Sequence, residues 1–366
     1  MIGRISSSSR KRRAPFMALA ILALLAGMWA GLSRMGWQIP SYGLSHGLLM
    51  IGGFLGTLIG LERAAALKRR WGYGAPLASG AGALLLLLGK ALVAPAAILI
   101  LIGSVFLVAI FAVFLSREPS LFGLTEAAGA ASWLIGNLLL LSDRFDPGPL
   151  TAWWTGFLVL TIVGERLELS RLSSPGRAVV TAFLLAAGIT FAGQAVSVAN
   201  LDSGRRLFGL GLLLLALWLA RHDVARRTVR VAGATRFISL CLLSGYFWMA
   251  VAGTLRLVYG GVMDGPYFDA LLHSLFLGFV FSMIFGHALI IFPSVLGIPI
   301  PYRPRFYAHL ALLHLSLLLR ITGDISGIHP WQAWGGLLNV AAILLFLAST
   351  ILSALAGTRV KRPEKA

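Results

Sequence analysis

The stretches HGLLMIGGFLGTLIGLER (46–63) and HSLFLGFVFSMIFGHALIIFPSVLG (273–297) decide the class of fold. Each is a long apolar run that opens on a histidine and is threaded with glycine. The first meets charge only at its far end, Glu62 and Arg63, and the second carries no Asp, Glu, Lys or Arg. A helix of roughly 20 apolar residues spans the hydrocarbon core of a bilayer. Outward from these two, the same kind of run recurs along the chain: 15–33, 44–66, 73–93, 95–116, 120–142, 150–170, 177–200, 205–221, 235–260, 268–294, 304–324 and 332–355. The spacing predicts an all-α membrane protein of about twelve transmembrane helices. It forms one polytopic domain, 15–355, between a basic N-terminal segment, 1–14, and a basic C-terminal segment, 356–366.

Composition argues the same way. The 366 residues are 58% hydrophobic and 12% charged, where a soluble protein carries about a quarter charged residues. No polar stretch is long enough for a separate soluble domain. The net charge of +18 sits in short clusters between apolar runs, which speaks for topology and anionic lipid rather than nucleic acid. With the N-terminus inside, 24 of the 31 Lys and Arg fall on the cytoplasmic side. Seven fall outside: Arg34, Lys90, Arg144, Arg205, Arg206, Arg256 and Arg320. This asymmetry predicts a cell inner (plasma) membrane protein with both ends cytoplasmic. The first run follows Arg10, Lys11, Arg12 and Arg13, a pattern that signal peptides share, but its apolar stretch is longer than their usual 7–15 residues.

The single cysteine, Cys241, excludes an internal disulfide. It also excludes covalent haem attachment through Cys-x-x-Cys-His and any cysteine cluster for zinc or iron–sulfur. No P-loop, Gly-x-Ser-x-Gly, His-Glu-x-x-His or dinucleotide fingerprint is present.

Three runs share a pattern at four-helix spacing. GFLGTLIGLER begins at Gly53, GFLVLTIVGER at Gly156 and GFVFSMIFGHA at Gly278. Glu62, Glu165 and His287 each lie nine residues after that glycine, followed by Arg63, Arg166 and Ala288. The pattern fits a threefold pseudo-repeat of four helices each. It also fits convergence, since small residues recur wherever membrane helices approach closely.

Ionisable groups at membrane depth need a reason. His46 and His273 fall near the outer ends of the second and tenth runs, at matched positions in the pattern. Two neutral imidazoles facing one cavity can supply both axial ligands of a b-type haem; the alternative is two separate interhelical hydrogen bonds. Arg256 and Arg320 share that depth and suit haem propionates, or the nearby Asp264, Asp269 and Asp324. His287 lies fourteen residues beyond His273, about 1,400° along an unbroken α-helix and so on the same face, roughly 21 Å away. His309 has the depth to meet His287, which leaves room for a second haem. His309 and His314 are too far apart around a helix to chelate one metal readily.

The acidic groups divide in two. Glu62 and Glu165, beside Arg63 and Arg166, read as cross-paired ion pairs or as a proton entry path. Glu126, in TEAAGAASW among small residues and expected to have no cation nearby, is the leading candidate for proton or ion coupling, either protonated by desolvation or bonded across helices.

Taken together, 46–63 and 273–297, followed by an arginine late in the eleventh run, resemble the NnrS family, within the broader haem–copper oxidase subunit I-like superfamily. The resemblance implies a haem-associated membrane protein with a role in nitric oxide resistance or respiratory redox chemistry, and haem b, one or two per chain, as cofactor. It would put His46 and His273 where the oxidases ligate their low-spin haem, with Arg256 and Arg320 at its propionates; His287 and His309 are further metal-ligand candidates by their spacing and depth alone. Copper is not expected, because the sixth run has Glu165 but no histidine and the seventh offers only Gln194. Two other readings stay open: a proton-coupled small-solute transporter, and an accessory subunit of a respiratory complex with a respiratory-chain partner.

Overall fold

Each of the twelve apolar runs folds around a helix in the computed structural model, which describes residues 7–142 and 147–359. The basic ends at 1–6 and 360–366, and the connection that carries Arg144, lie outside the described residues. The helices are α1 Ser7–Arg34, α2 Gly56–Leu67, α3 Gly74–Leu87, α4 Val93–Arg117, α5 Leu121–Leu140, α6 Pro147–Ser170 and α7 Arg177–Ala199. They continue as α8 Leu201–His222, the short α9 Ala225–Thr228, α10 Ala234–Tyr259, α11 Gly265–His273, α12 Ser282–Leu296, α13 Phe306–Ser326 and α14 His329–Arg359. No strand occurs among the described residues.

Nine spans among these residues are long and apolar enough to cross a membrane, so the chain is a multi-pass membrane protein. The runs 73–93, 120–142 and 150–170 are not among the nine. The reasons are physical. Helix α3 has 14 residues, fewer than a bilayer needs. Helix α5 carries Glu126 and Asn137, and α6 carries Glu165, Arg166 and Glu168. Helix α6 is buried on nearly all sides from Leu150 to Leu167, so its neighbours rather than lipid form most of its surroundings.

Local signals set the helix ends. Ser120 caps α5 by accepting a hydrogen bond from the Gly123 amide at 3.2 Å. Helices α12 and α13 stop at Gly297 and Gly327, both left-handed at φ 64° and 71°, a conformation that glycine adopts without a Cβ penalty.

The chain divides into two compact units. The first comprises Arg13–Leu215 with Arg256–Met263. Its core packs α5 on α6, α3 on α4 and α4 on α5. Trp133 stacks on Phe157 at 4.8 Å between ring centroids, and a Cβ at Gly129 would sit 2.8 Å from the Thr161 amide nitrogen and 2.9 Å from the Phe157 carbonyl oxygen. The glycine is what lets the two backbones meet. The second unit comprises Ala216–Leu255 and the described residues from Asp264 onward, with the start of α1. It packs α13 on α14 and on α11.

Two helices depart from α-geometry. A π-helical segment, Leu48–Leu55, precedes α2, and a second, Ser274–Phe281, joins α11 to α12. Both are eight residues long, and both contain the Gly-Phe of the sequence pattern, Gly53-Phe54 and Gly278-Phe279. The third copy, at Gly156, lies in regular α-helix. π-Segments are uncommon and cluster at functional positions. Because their i→i+5 bonding turns less per residue, the fourteen-residue phase from His273 to His287 does not carry across the second one.

Candidate functional site

The first π-segment begins two residues after His46, and the second begins directly after His273. In the first unit, His46 Nδ1 lies 2.7 Å from the carbonyl oxygen of Gly27 on α1. Gly31 faces the same ring, and a Cβ there would be 3.1 Å from Cε1. In the Gly-x-x-x-Gly of α1, Gly31 thus makes room for the imidazole, Gly27 gives it a carbonyl, and Met50 packs on Gly27. That spacing stands in the sequence and is the signal by which α1 could have been recognised as the partner of His46.

In the second unit, His273 Nδ1 lies 2.9 Å from the Asp269 carbonyl oxygen and 3.2 Å from its carboxylate. Arg320 on α13 grips that carboxylate with both arms, Nε at 3.0 Å and Nη2 at 2.8 Å from Oδ2. So Arg320 has a protein partner, and through it orients His273. His287 Nδ1 lies 2.7 Å from the Met283 carbonyl oxygen. A carbonyl oxygen can only accept, so all three imidazoles carry their proton on Nδ1, and in the neutral form Nε2 holds the lone pair.

His309 differs. It is 1% exposed with no hydrogen-bond partner at either ring nitrogen. Phe237, Phe285, Phe306 and Phe346 surround it, with centroids 4.8–5.9 Å away. His314 accepts a hydrogen bond from Trp248 Nε1 at 3.0 Å, a partner that the sequence reading missed. Among the described residues, no three His, Cys, Asp or Glu side chains group as a metal site.

Arg256 lies in the first unit, fully buried, with Nε, Nη1 and Nη2 all lacking a hydrogen-bond partner. Its guanidinium lies over the Phe208 ring at 5.9 Å. A buried charge without a hydrogen-bond partner is expensive.

At the end of the first unit where α2 and α4 finish, Arg63 meets two carboxylates. It contacts Glu165 of α6, and its Nη1 is 3.5 Å from Glu126 Oε2 on α5. The expectation that Glu126 has no cation nearby is therefore overturned: Arg63 arrives from α2, far away in sequence. Arg63 and Glu165 form the cross-pair between repeat positions. Glu62 is half-buried beside them, and Arg166 is buried.

The family model described as "Domain of unknown function (DUF8744)" matches residues 13–355. The chain belongs to this family. The DUF8744 match takes in every site residue named above and leaves out the basic ends. No curated protein matches the chain.

Proposed function

We propose that this DUF8744 protein binds haem b in the membrane, with His46 and His273 as iron ligands, and serves nitric oxide resistance or respiratory redox chemistry. One observation carries the reading. The imidazoles of His46 and His273, each at the mouth of a π-segment, commit Nδ1–H to a backbone carbonyl. That arrangement fixes the tautomer and presents Nε2 as a metal donor. His287 shares it, which suits a second ligand position with His309.

Within each unit, the surroundings suit a haem ligand. Gly31 leaves the His46 ring room at its α1 face. The Asp269 carboxylate, held by Arg320, raises the donor strength of His273. Arg256 supplies the buried positive charge that a propionate would neutralise. When bound, haem iron supplies one-electron chemistry; the chain's own residues bind it, orient it and shield it from water. The positive-inside count supports an inner-membrane orientation with both ends cytoplasmic.

A pyridine haemochrome assay on protein purified from haem-replete cells tests the reading. Haem at one or two per chain is expected, with the bound fraction falling at least tenfold in His46→Ala and in His273→Ala. Haem-free wild-type protein sinks it.

A further inference from the structure

A second feature of the first unit has no part in holding haem. A cavity of about 260 Å³ opens beside the ends of α2, α4 and α6. Arg63, Phe111, Arg117, Phe122, Glu126 and Glu168 are among the residues that line it. It has room for several waters.

At its base the charges do not balance. One guanidinium, Arg63, serves two carboxylates, Glu126 and Glu165. Glu126 lines the cavity and is 4% exposed, and its buried Oε1 accepts no hydrogen bond. A buried carboxylate oxygen without a partner, in a trio with one negative charge in excess, lacks one positive charge.

The other charged groups around it leave the excess in place: Arg117 and Arg171 stand against Glu62, Glu118 and Glu168, and Arg166 lies about 200° around α6 from Gly164, the residue that abuts Glu126. Glu62 of α2 and Glu168 of α6 are themselves acidic. Arg117 and Glu118 stand together at the end of α4, where Glu118 pairs with Arg171 at 3.8 Å on the exposed rim. Arg171 also lies over the Phe122 ring at 5.2 Å.

Two small cations could supply the charge, and their needs differ. A metal ion such as Na⁺ wants several oxygen donors around it. Here the base of the cavity offers one bare carboxylate oxygen, and Arg63 repels any ion placed beside it. A proton needs a single oxygen. We propose that Glu126 is an exchangeable proton-binding site, served by water in the vestibule and poised by Arg63, which Glu165 holds in competition. Protonation of Glu126 Oε1 leaves Arg63 wholly to Glu165, and release of that proton draws Arg63 back. The site would make a movement of charge in the first unit answer to proton activity at the cavity mouth, whatever the haem content.

Labelling of the purified full chain with dicyclohexylcarbodiimide, mapped by peptide mass spectrometry, tests this. The reagent reacts with a carboxyl that carries its proton. Glu126 should be the principal labelled residue, with labelling falling about tenfold per pH unit above its midpoint and abolished in Glu126→Gln. Infrared difference spectra between acid and alkaline buffer provide a second measure. A protonated-carboxyl stretch should be present in the wild type, shifted in Glu165→Gln and lost in Glu126→Gln, which is close in shape and should fold. Absence of that band, or its survival in Glu126→Gln, overturns the proposal. Protection of Glu126 by Na⁺ or K⁺ but not by choline, at fixed pH and ionic strength, also overturns it, in favour of a metal-cation site.

Discussion

Arg320 holds the carboxylate of Asp269 through two nitrogens, at 3.0 Å and 3.1 Å, across fifty-one residues of sequence. Arg320 is buried, while the Asp269 side chain keeps 27% of its surface. The same carboxylate stands beside His273 Nδ1, so one fork of charge-assisted bonds ties α13 to α11 and sets an imidazole. Truncating one member of a buried pair strands the other and costs about 3–5 kcal/mol when burial is complete. The partial exposure of Asp269 lowers that figure here. Asp269→Asn should therefore lower the thermal midpoint in detergent and also weaken haem retention. His273→Ala should remove haem with a smaller loss of midpoint. Equal midpoints for Asp269→Asn and wild type would show that the fork contributes nothing.

Arg256 gives a prediction of opposite sign in two states. Its guanidinium is fully buried with no hydrogen-bond partner, so in haem-free protein it is a liability. Replacing buried ionic groups by apolar side chains of similar size stabilises proteins by about 1–4 kcal/mol. Arg256→Met should raise the thermal midpoint of haem-free protein and lower haem affinity in the same preparation. Thermal scans with and without added haemin check both halves. A fall in midpoint without haem would mean that the guanidinium is already neutralised.

How much of this was legible in the sequence follows from the range of each interaction. Helix formation needs only local apolar content, and all twelve runs contain helix. The bonds from His273 to Asp269 and from His287 to Met283 span four residues, so helical spacing alone brings the groups together. The Gly27–Gly31 spacing could have been read too. The meeting of Arg63 with Glu126 could not, since it depends on how α2 packs against α5. Nor could the π-segments, because no residue type encodes i→i+5 bonding and the apolar runs look the same with or without it. The phase relation of His273 to His287 was lost for that reason.

Glycine contacts make a controlled comparison. At Gly129 an added Cβ would meet backbone atoms of α6 at 2.8 and 2.9 Å, and backbone cannot swing aside. Gly129→Ala should cost about 1–3 kcal/mol, as overpacking does. At Gly188, in the interior of α7, nothing lies within 4 Å of the added carbon. Gly188→Ala should be neutral or stabilising by up to about 1 kcal/mol, from helix propensity. Measured side by side, the thermal midpoint should fall in Gly129→Ala and stay level or rise in Gly188→Ala. A matching loss at both would refute the close approach of α5 and α6.

The first π-segment can be tested by removing a residue. A π-segment holds more residues per turn than the α-helix around it, so deleting Met50 lets Leu48–Leu55 relax to regular i→i+4 bonding. The helix should survive, because α-geometry is the more favourable. What changes is phase: eight residues at the smaller π-helical twist become seven at about 100° each, so His46 turns by roughly 45° relative to Arg63, away from the Gly27 carbonyl that now accepts from its Nδ1. Helical circular dichroism should be retained, while haem content should fall as far as in His46→Ala. Full haem retention with the residue removed would show that the π-segment does not aim His46, and the proposed ligand would have to act from a different register.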